Sequence, residues 1–264
     1  MDKQRNFVTK EAIDVLARWS DVHQQALVDG AAGLGIALNQ TQAGQFEHYF
    51  HELVMGNQRL NLTTVVEPAE VVSRHFLDSL ACVLAFPREP RPLSVIDIGS
   101  GAGFPGLPLK IVRPELDLVL VEATGKKARF LESVVRRLEL GRVVILNARI
   151  EDVGQDRRHR GSYDIAVCRA VANLAVLAEY GLPLLHLGGH LIAQKTAGID
   201  DEVESAVPAI GLLGGKLLQP VFYDGRQLVV MKKIAATPTI YPRRAGIPAK
   251  RPLGRPKLPN VPIN

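Results

Sequence analysis

The side chains best placed to do chemistry cluster in "IDIGSGAGFPGLPLK", residues 96 to 110, where glycines crowd a turn directly after a short apolar run. Gly101, Gly103 and Gly106 fit the G-x-G-x-x-G spacing of a dinucleotide site, while Gly99, Gly101 and Gly103 fit the G-x-G-x-G spacing that cradles S-adenosylmethionine. Both ligands call for glycine because a strand must turn sharply and bring backbone amides against the ligand. Glu122 ends the next apolar run about 20 residues on, where an acid grips a ribose in either reading, so these spacings alone leave a tie.

Asp97 breaks it. This acid stands inside the apolar run just before Gly99, where a dinucleotide strand is apolar, and a buried carboxylate is costly unless it meets donors. An acid here organises a glycine turn around S-adenosylmethionine, and Phe104-Pro105 adds a flat apolar surface for contact with the cofactor. Methyl transfer is therefore the expected chemistry.

The elements that must position this loop alternate. After Pro92, "LSVIDIG", "LDLVLVE", "RVVILNA", "YDIAVCRA" and "GGHLIAQK" read as strands, separated by helices such as the amphipathic "GKKARFLESVVRRLEL" and one near 199 to 213. Such alternation predicts an α/β, doubly wound parallel sheet with ligands at the carboxyl ends of its strands. "KLLQPVFYDGRQLVVMKK" adds two strand-like runs joined at Asp224-Gly225, a hairpin signal that closes the sheet antiparallel, as in the Rossmann-like class I methyltransferase fold. Before residue 90 only helices are expected: one from Lys10 ending in "GAAGLG", one from Thr41, and "EPAEVVSRHFLDSLACVLAF", followed by the linker "PREPRP". The chain divides into a helical portion (1–90), the sheet domain (91–234) and a basic, Pro-rich tail (235–264).

Composition narrows the class further. Two cysteines far apart, Cys82 and Cys168, and no His cluster leave no disulfide framework and no metal site. No apolar leader or membrane-length run occurs, so a soluble, cytoplasmic, monomeric protein is expected. Of the net charge of +5, residues 235–264 hold six basic side chains and no acid, leaving 26 basic against 27 acidic elsewhere. That tail reads as extended chain, either presenting cations to a polyanion or simply solvated.

"NLTTVVEPAEVVSRHFLDSL", the glycine loop through "LVEATGKKARFLESV", then "NARIED", "YDIAVCRAVANL" and "YPRRAGIPAK" together resemble the bacterial small-subunit ribosomal RNA guanine-N7 methyltransferase family, once called glucose-inhibited division protein B. The likeness covers roughly residues 36 to 252. It implies methyl transfer from S-adenosylmethionine to N7 of one guanosine in 16S rRNA, as free RNA or in an assembling small subunit. It also implies that Gly99 and Phe104, with Gly101 and Gly103, line the cofactor, that Glu122 takes the ribose hydroxyls, and that Ile150 and Glu151 lie beside the adenine. Arg169 matches the family's arginine where cofactor and target base meet and is the expected catalytic residue; as a strand-end arginine it also reads as an ion-pair partner of a neighbouring carboxylate.

Lys195, at a strand end, reads as an RNA phosphate contact or a solvated lysine, and Arg243, Arg244, Lys250 and Arg251 are the tail's RNA candidates. His75 and Asp78 share a helix face at i, i+3. They read as a surface or capping pair, although the resemblance puts "RHFLDSL" on the active-site side and so makes His75 a further RNA candidate. Cys168 lacks the preceding proline of a pyrimidine-attacking cysteine and reads as a buried strand residue. No N-P-P-Y-like run and no Lys-Asp-Lys-Glu set is present, which favours a ring nitrogen as the target.

Overall fold

The computed structural model describes residues 18–169 and 172–254. The start of the first expected helix, residues 10–17, and the tail cations Arg255 and Lys257 lie outside the described residues.

The helical portion comprises α1 (Asp21–Gly33), α2 (Gln40–Leu60) and α3 (Pro68–Val71). α3 runs directly into a π-helical turn, Val72–Leu77, then α4 (Asp78–Leu80) and a 3-10 turn, Ala81–Ala85. α1 ends within the glycine-rich run as expected, but it begins at Asp21 behind the N-cap Ser20, with residues 18–20 outside the helix. Within that run Gly30 packs so closely on the π turn that a Cβ would stand 2.3 Å from the Leu77 side chain.

The sheet domain reads β1 (Ser94–Ile98), α5 (Gly106–Val112), β2 (Asp117–Val121), α6 (Gly125–Arg137), β3 (Val143–Leu146), α7 (Ile150–Gln155) and β4 (Tyr163–Arg169). It continues with α8 (Leu174–Gly181), β5 (Leu185–Thr196), α9 (Asp200–Leu212), β6 (Gly215–Leu217), β7 (Val221–Tyr223) and β8 (Arg226–Lys233), and α10 (Ile247–Lys250) follows. Strand order is β3-β2-β1-β4-β5-β8-β6, with β1 to β5 parallel and β8 antiparallel to β5 from His190↔Lys232 to Thr196↔Arg226. The hairpin expected at Asp224-Gly225 is β7–β8. Its first strand is broken: β6 and β7 pair in succession with β8, interrupted around Pro220, which has no N–H to give.

Period-2 alternation assigns each strand residue to one of two cores. Val95, Leu118, Ile165 and Val167 join Phe46, Tyr49, Phe50 and Phe76 of the helical portion in one apolar cluster. Ile96, Val121, Ala166 and Cys168 face α7, α8 and α9 in the other. The N-terminal helices therefore share a core with the sheet and cover one of its faces. Arg169, in phase with Ile165 and Val167, emerges on that same side.

The tail differs from expectation up to residue 254. Rather than extended and poorly packed, it folds back on the sheet domain, with Tyr241 and Leu253 against the second core and Pro248 buried. The physical reason is ion pairing and backbone capture across long sequence separations, which composition does not reveal. No helix among the described residues is long and apolar enough to cross a membrane.

Candidate active site

The glycine turn links the ends of β1 and α5. Gly99, Gly101 and Gly103 all take positive φ, +69°, +58° and +105°, as the G-x-G-x-G reading requires. Gly106 has a different reason to be glycine: it begins α5, and a Cβ there would lie 2.7 Å from Asp97 Oδ2. Its N–H donates to that oxygen at 2.9 Å. Asp97 Oδ1 is buried and meets no donor among the described residues, and burial pushes this carboxyl up to about 7.

Glu122 clamps the turn from the β2 end. One carboxylate oxygen accepts from Gly101 N at 3.0 Å and the other from Thr124 N at 2.7 Å. A carboxylate offers about four acceptor sites, so capacity remains for a ligand's hydroxyls. Beside it opens a cavity of about 280 Å³ at the carboxyl ends of β1, β2 and β3, lined among others by Gly99, Glu122, Ile150, Glu151, Gly246 and Ala249. Four of the expected cofactor positions thus converge. Gly101 spends its amide on Glu122, and Gly103 is tucked against Tyr49, whose hydroxyl would stand 2.5 Å from a Cβ there.

S-adenosylmethionine fits the groups present. It offers two ribose hydroxyls and an exocyclic amine to a cavity with Glu122 and Glu151 on its wall.

Phe104 lies outside that lining. It is 5% exposed and is not among the residues lining the cavity; its ring stacks on Tyr49 at 5.3 Å and lies 4.7 Å from the His75 ring. The Arg169 guanidinium sits over it, 4.8 Å from the ring centroid. Arg169 also donates to Arg74 O at 3.0 Å and Asp78 Oδ2 at 3.2 Å.

The pairing of His75 with Asp78 as a surface or capping couple is overturned. Asp78 is 4% exposed and holds two arginines, Arg169 on one oxygen and Arg226 on the other at 3.0 Å, with the Tyr223 hydroxyl donating at 2.9 Å. Gln194 Nε2 donates to the Asp78 carbonyl at 2.6 Å. The π turn is what aims this group: five-residue hydrogen-bond spacing brings Arg74 O, His75 and Asp78 round one guanidinium, and such turns recur at functional sites. His75 Nε2 meets Thr63 Oγ1 at 2.8 Å, and burial with the neighbouring Arg169 lowers its pKa to about 4.

The remaining RNA candidates separate. Lys195 is neither free nor solvated, being paired to Glu202 at 2.7 Å and Ala172 O at 2.9 Å. Arg243 is committed to the fully buried Glu179 through two donors at 2.8 and 2.6 Å. Arg244, Lys250 and Arg251 are exposed. Cys168 is buried, its thiol pushed up to about 12 by that burial, so it is no nucleophile. Among the described residues no group of three or more His, Cys, Asp or Glu could hold a metal.

Sheet order, an antiparallel closing strand and a carboxylate-lined cavity at a glycine turn define a Rossmann-like, class I S-adenosylmethionine-dependent methyltransferase. A crystal structure of a MtNAS mutant in complex with S-adenosylmethionine shares the fold, with a TM-score of 0.51 over 88% of this chain and 86% of that one at 14% identity. The family model for GidB, rRNA small subunit methyltransferase G, matches residues 42–229. Ribosomal RNA small subunit methyltransferase G of Roseiflexus castenholzii is 52% identical over 228 residues, 84% of this chain and 97% of its own length. That of Dehalococcoides mccartyi is 48% identical over 233 residues, 86% and 98% of the two chains. The chain belongs to the rRNA small subunit methyltransferase G family.

Proposed function

We infer that the protein transfers a methyl group from S-adenosylmethionine to N7 of a specific guanosine in 16S ribosomal RNA, presented as free RNA or in an assembling small subunit. It acts as a monomer in the cytoplasm. The observation that carries this reading is the convergence of Gly99, Glu122, Ile150 and Glu151 on one cavity, joined through the glycine turn to an arginine held over Phe104.

When bound, S-adenosylmethionine supplies an electrophilic methyl group on a sulfonium. Guanine N7 carries an exposed lone pair at neutral pH, so no base is required to activate it. The chain's contribution is therefore alignment and exclusion of water. Glu122 fixes the turn and takes the ribose hydroxyls, while Ile150 and Glu151 flank the adenine. Arg169, fastened by Asp78, Arg74 O and the Phe104 face, presents its remaining donors to guanine O6 or a neighbouring phosphate, which a planar five-donor fork suits. His75, neutral at pH 7, adds no second charge beside that guanidinium and moves no proton. Arg244, Lys250 and Arg251 supply cations to the RNA backbone.

The test is label transfer from methyl-labelled S-adenosylmethionine to unmodified 16S rRNA by wild type and Arg169→Ala. Transfer lost with the fold intact supports the assignment; wild-type activity in the variant refutes it.

A further inference from the structure

Resting on the cofactor reading above, we propose that residues 237–250 are a strap that completes the cofactor site, with Gly246 and Ala249 as the wall at its adenine end. The basic segment "YPRRAGIPAK" then serves S-adenosylmethionine binding as much as RNA binding.

Three anchors hold the strap. Arg160 donates to the carbonyls of Thr237, Pro238 and Tyr241 at 2.9, 3.1 and 2.7 Å, and Gln155 Nε2 to that of Pro242 at 2.7 Å. Arg243 then closes on Glu179 through its side chain and its own backbone N–H, 2.8 Å from Oε1. Finally Gly246 N donates at 2.8 Å to Glu151 Oε1, which also takes the Tyr180 hydroxyl at 3.3 Å.

The last anchor ties the strap to the cofactor. Glu151 lies on the cavity wall, so one carboxylate both holds the strap and shapes the adenine end. At Gly246, with φ of +78°, the chain turns into α10, which sets Ala249 beside Gly246 in the cavity lining. Two carboxylates exposed by no more than 4%, Glu151 and Glu179, are thus spent on positioning this segment. A buried ion pair is weak evidence of stability, and its best-attested use is to set register; here the register it sets is that of a cavity wall.

Ala249 is exposed, so a larger side chain there fills the cavity without disturbing either core. Calorimetric titration of S-adenosylmethionine into the full-length protein, without RNA, is the test. Ala249→Leu should raise Kd by about tenfold or more at unchanged Tm. Arg243→Ala should raise Kd by a similar factor of about ten, with part of the loss recovered in Arg243→Lys, which keeps the charge against Glu179. Variants that bind the cofactor within about twofold of wild type while losing affinity for rRNA would overturn the strap and leave the segment as an RNA element. Absence of cofactor binding by wild type would instead overturn the reading beneath it.

Discussion

Asp97 offers the sharpest quantitative prediction. The carboxyl is fully buried, has one donor in Gly106 N, and keeps its proton up to about pH 7 against an ordinary value of 3.8. Between those values the unfolded chain has released the proton and the folded chain has not. Unfolding then releases a proton, and stability falls as pH rises, at about 1.4 kcal/mol per pH unit. The contribution is whole below 3.8 and gone above about 7. Asp97→Asn preserves the shape and removes the titration. Its own fixed cost, an amide group where Oδ1 had no donor, is about 1–3 kcal/mol and does not vary with pH. The difference in stability between variant and wild type should therefore shift in the variant's favour by about 3 kcal/mol from pH 5 to pH 8. At about 2–4 °C per kcal/mol for a chain of this size, thermal melts without cofactor should show a relative gain of roughly 6–12 °C. A difference that is flat with pH, or that moves against the variant as pH rises, would refute the buried, proton-retaining carboxyl.

Other outcomes follow from the same geometry. Asp78→Asn strips two arginines of their counter-charge; with Arg226 screened by its 35% exposure, the stability loss should be about 2–3 kcal/mol by chemical denaturation. In the same variant kcat should fall while the Kd for S-adenosylmethionine holds, and a Kd change without a kcat change would contradict Asp78 as a positioning residue for Arg169. Replacing Arg244, Lys250 and Arg251 together by Gln should reduce the slope of log K against log salt for rRNA by about 2, measured by filter binding; an unchanged slope would put the phosphate contacts on the body. Cys168→Ala should keep transfer within about threefold of wild type, and a loss beyond about 100-fold would revive a thiol role.

Most of the sheet was legible because parallel strands buried on both faces are short continuous apolar runs, and "VIDI", "LVLV" and "IAVC" have no other easy reading. The hairpin was legible from Asp224-Gly225, and Pro220 marks the break in its edge strand. That Asp97 organises the glycine turn followed from placing an acid within a strand beside glycines, and Glu122 stands at the end of β2 where its run of apolar residues stops. For Arg169 an ion pair with some carboxylate was legible, but not that Asp78 supplies it. An i, i+3 spacing places His75 and Asp78 on one face but says nothing of what that face meets, and a π turn leaves no periodic signature over six residues. The ring partners of Phe104, Tyr49 stacked and His75 tilted, were not legible because they lie far away in sequence. The tail misled for a related reason: Pro and Arg without acids look like extended chain, whereas Arg243 finds its acid 64 residues upstream at Glu179.

The central claim, methylation of guanine N7 in 16S rRNA, is tested most directly by incubating unmodified 16S rRNA with the protein and S-adenosylmethionine, then treating it with borohydride and aniline, which cleave at N7-methylguanosine. A single new cut that depends on cofactor and is lost with Arg169→Ala is expected. Methyl incorporation without any cut would contradict the choice of N7.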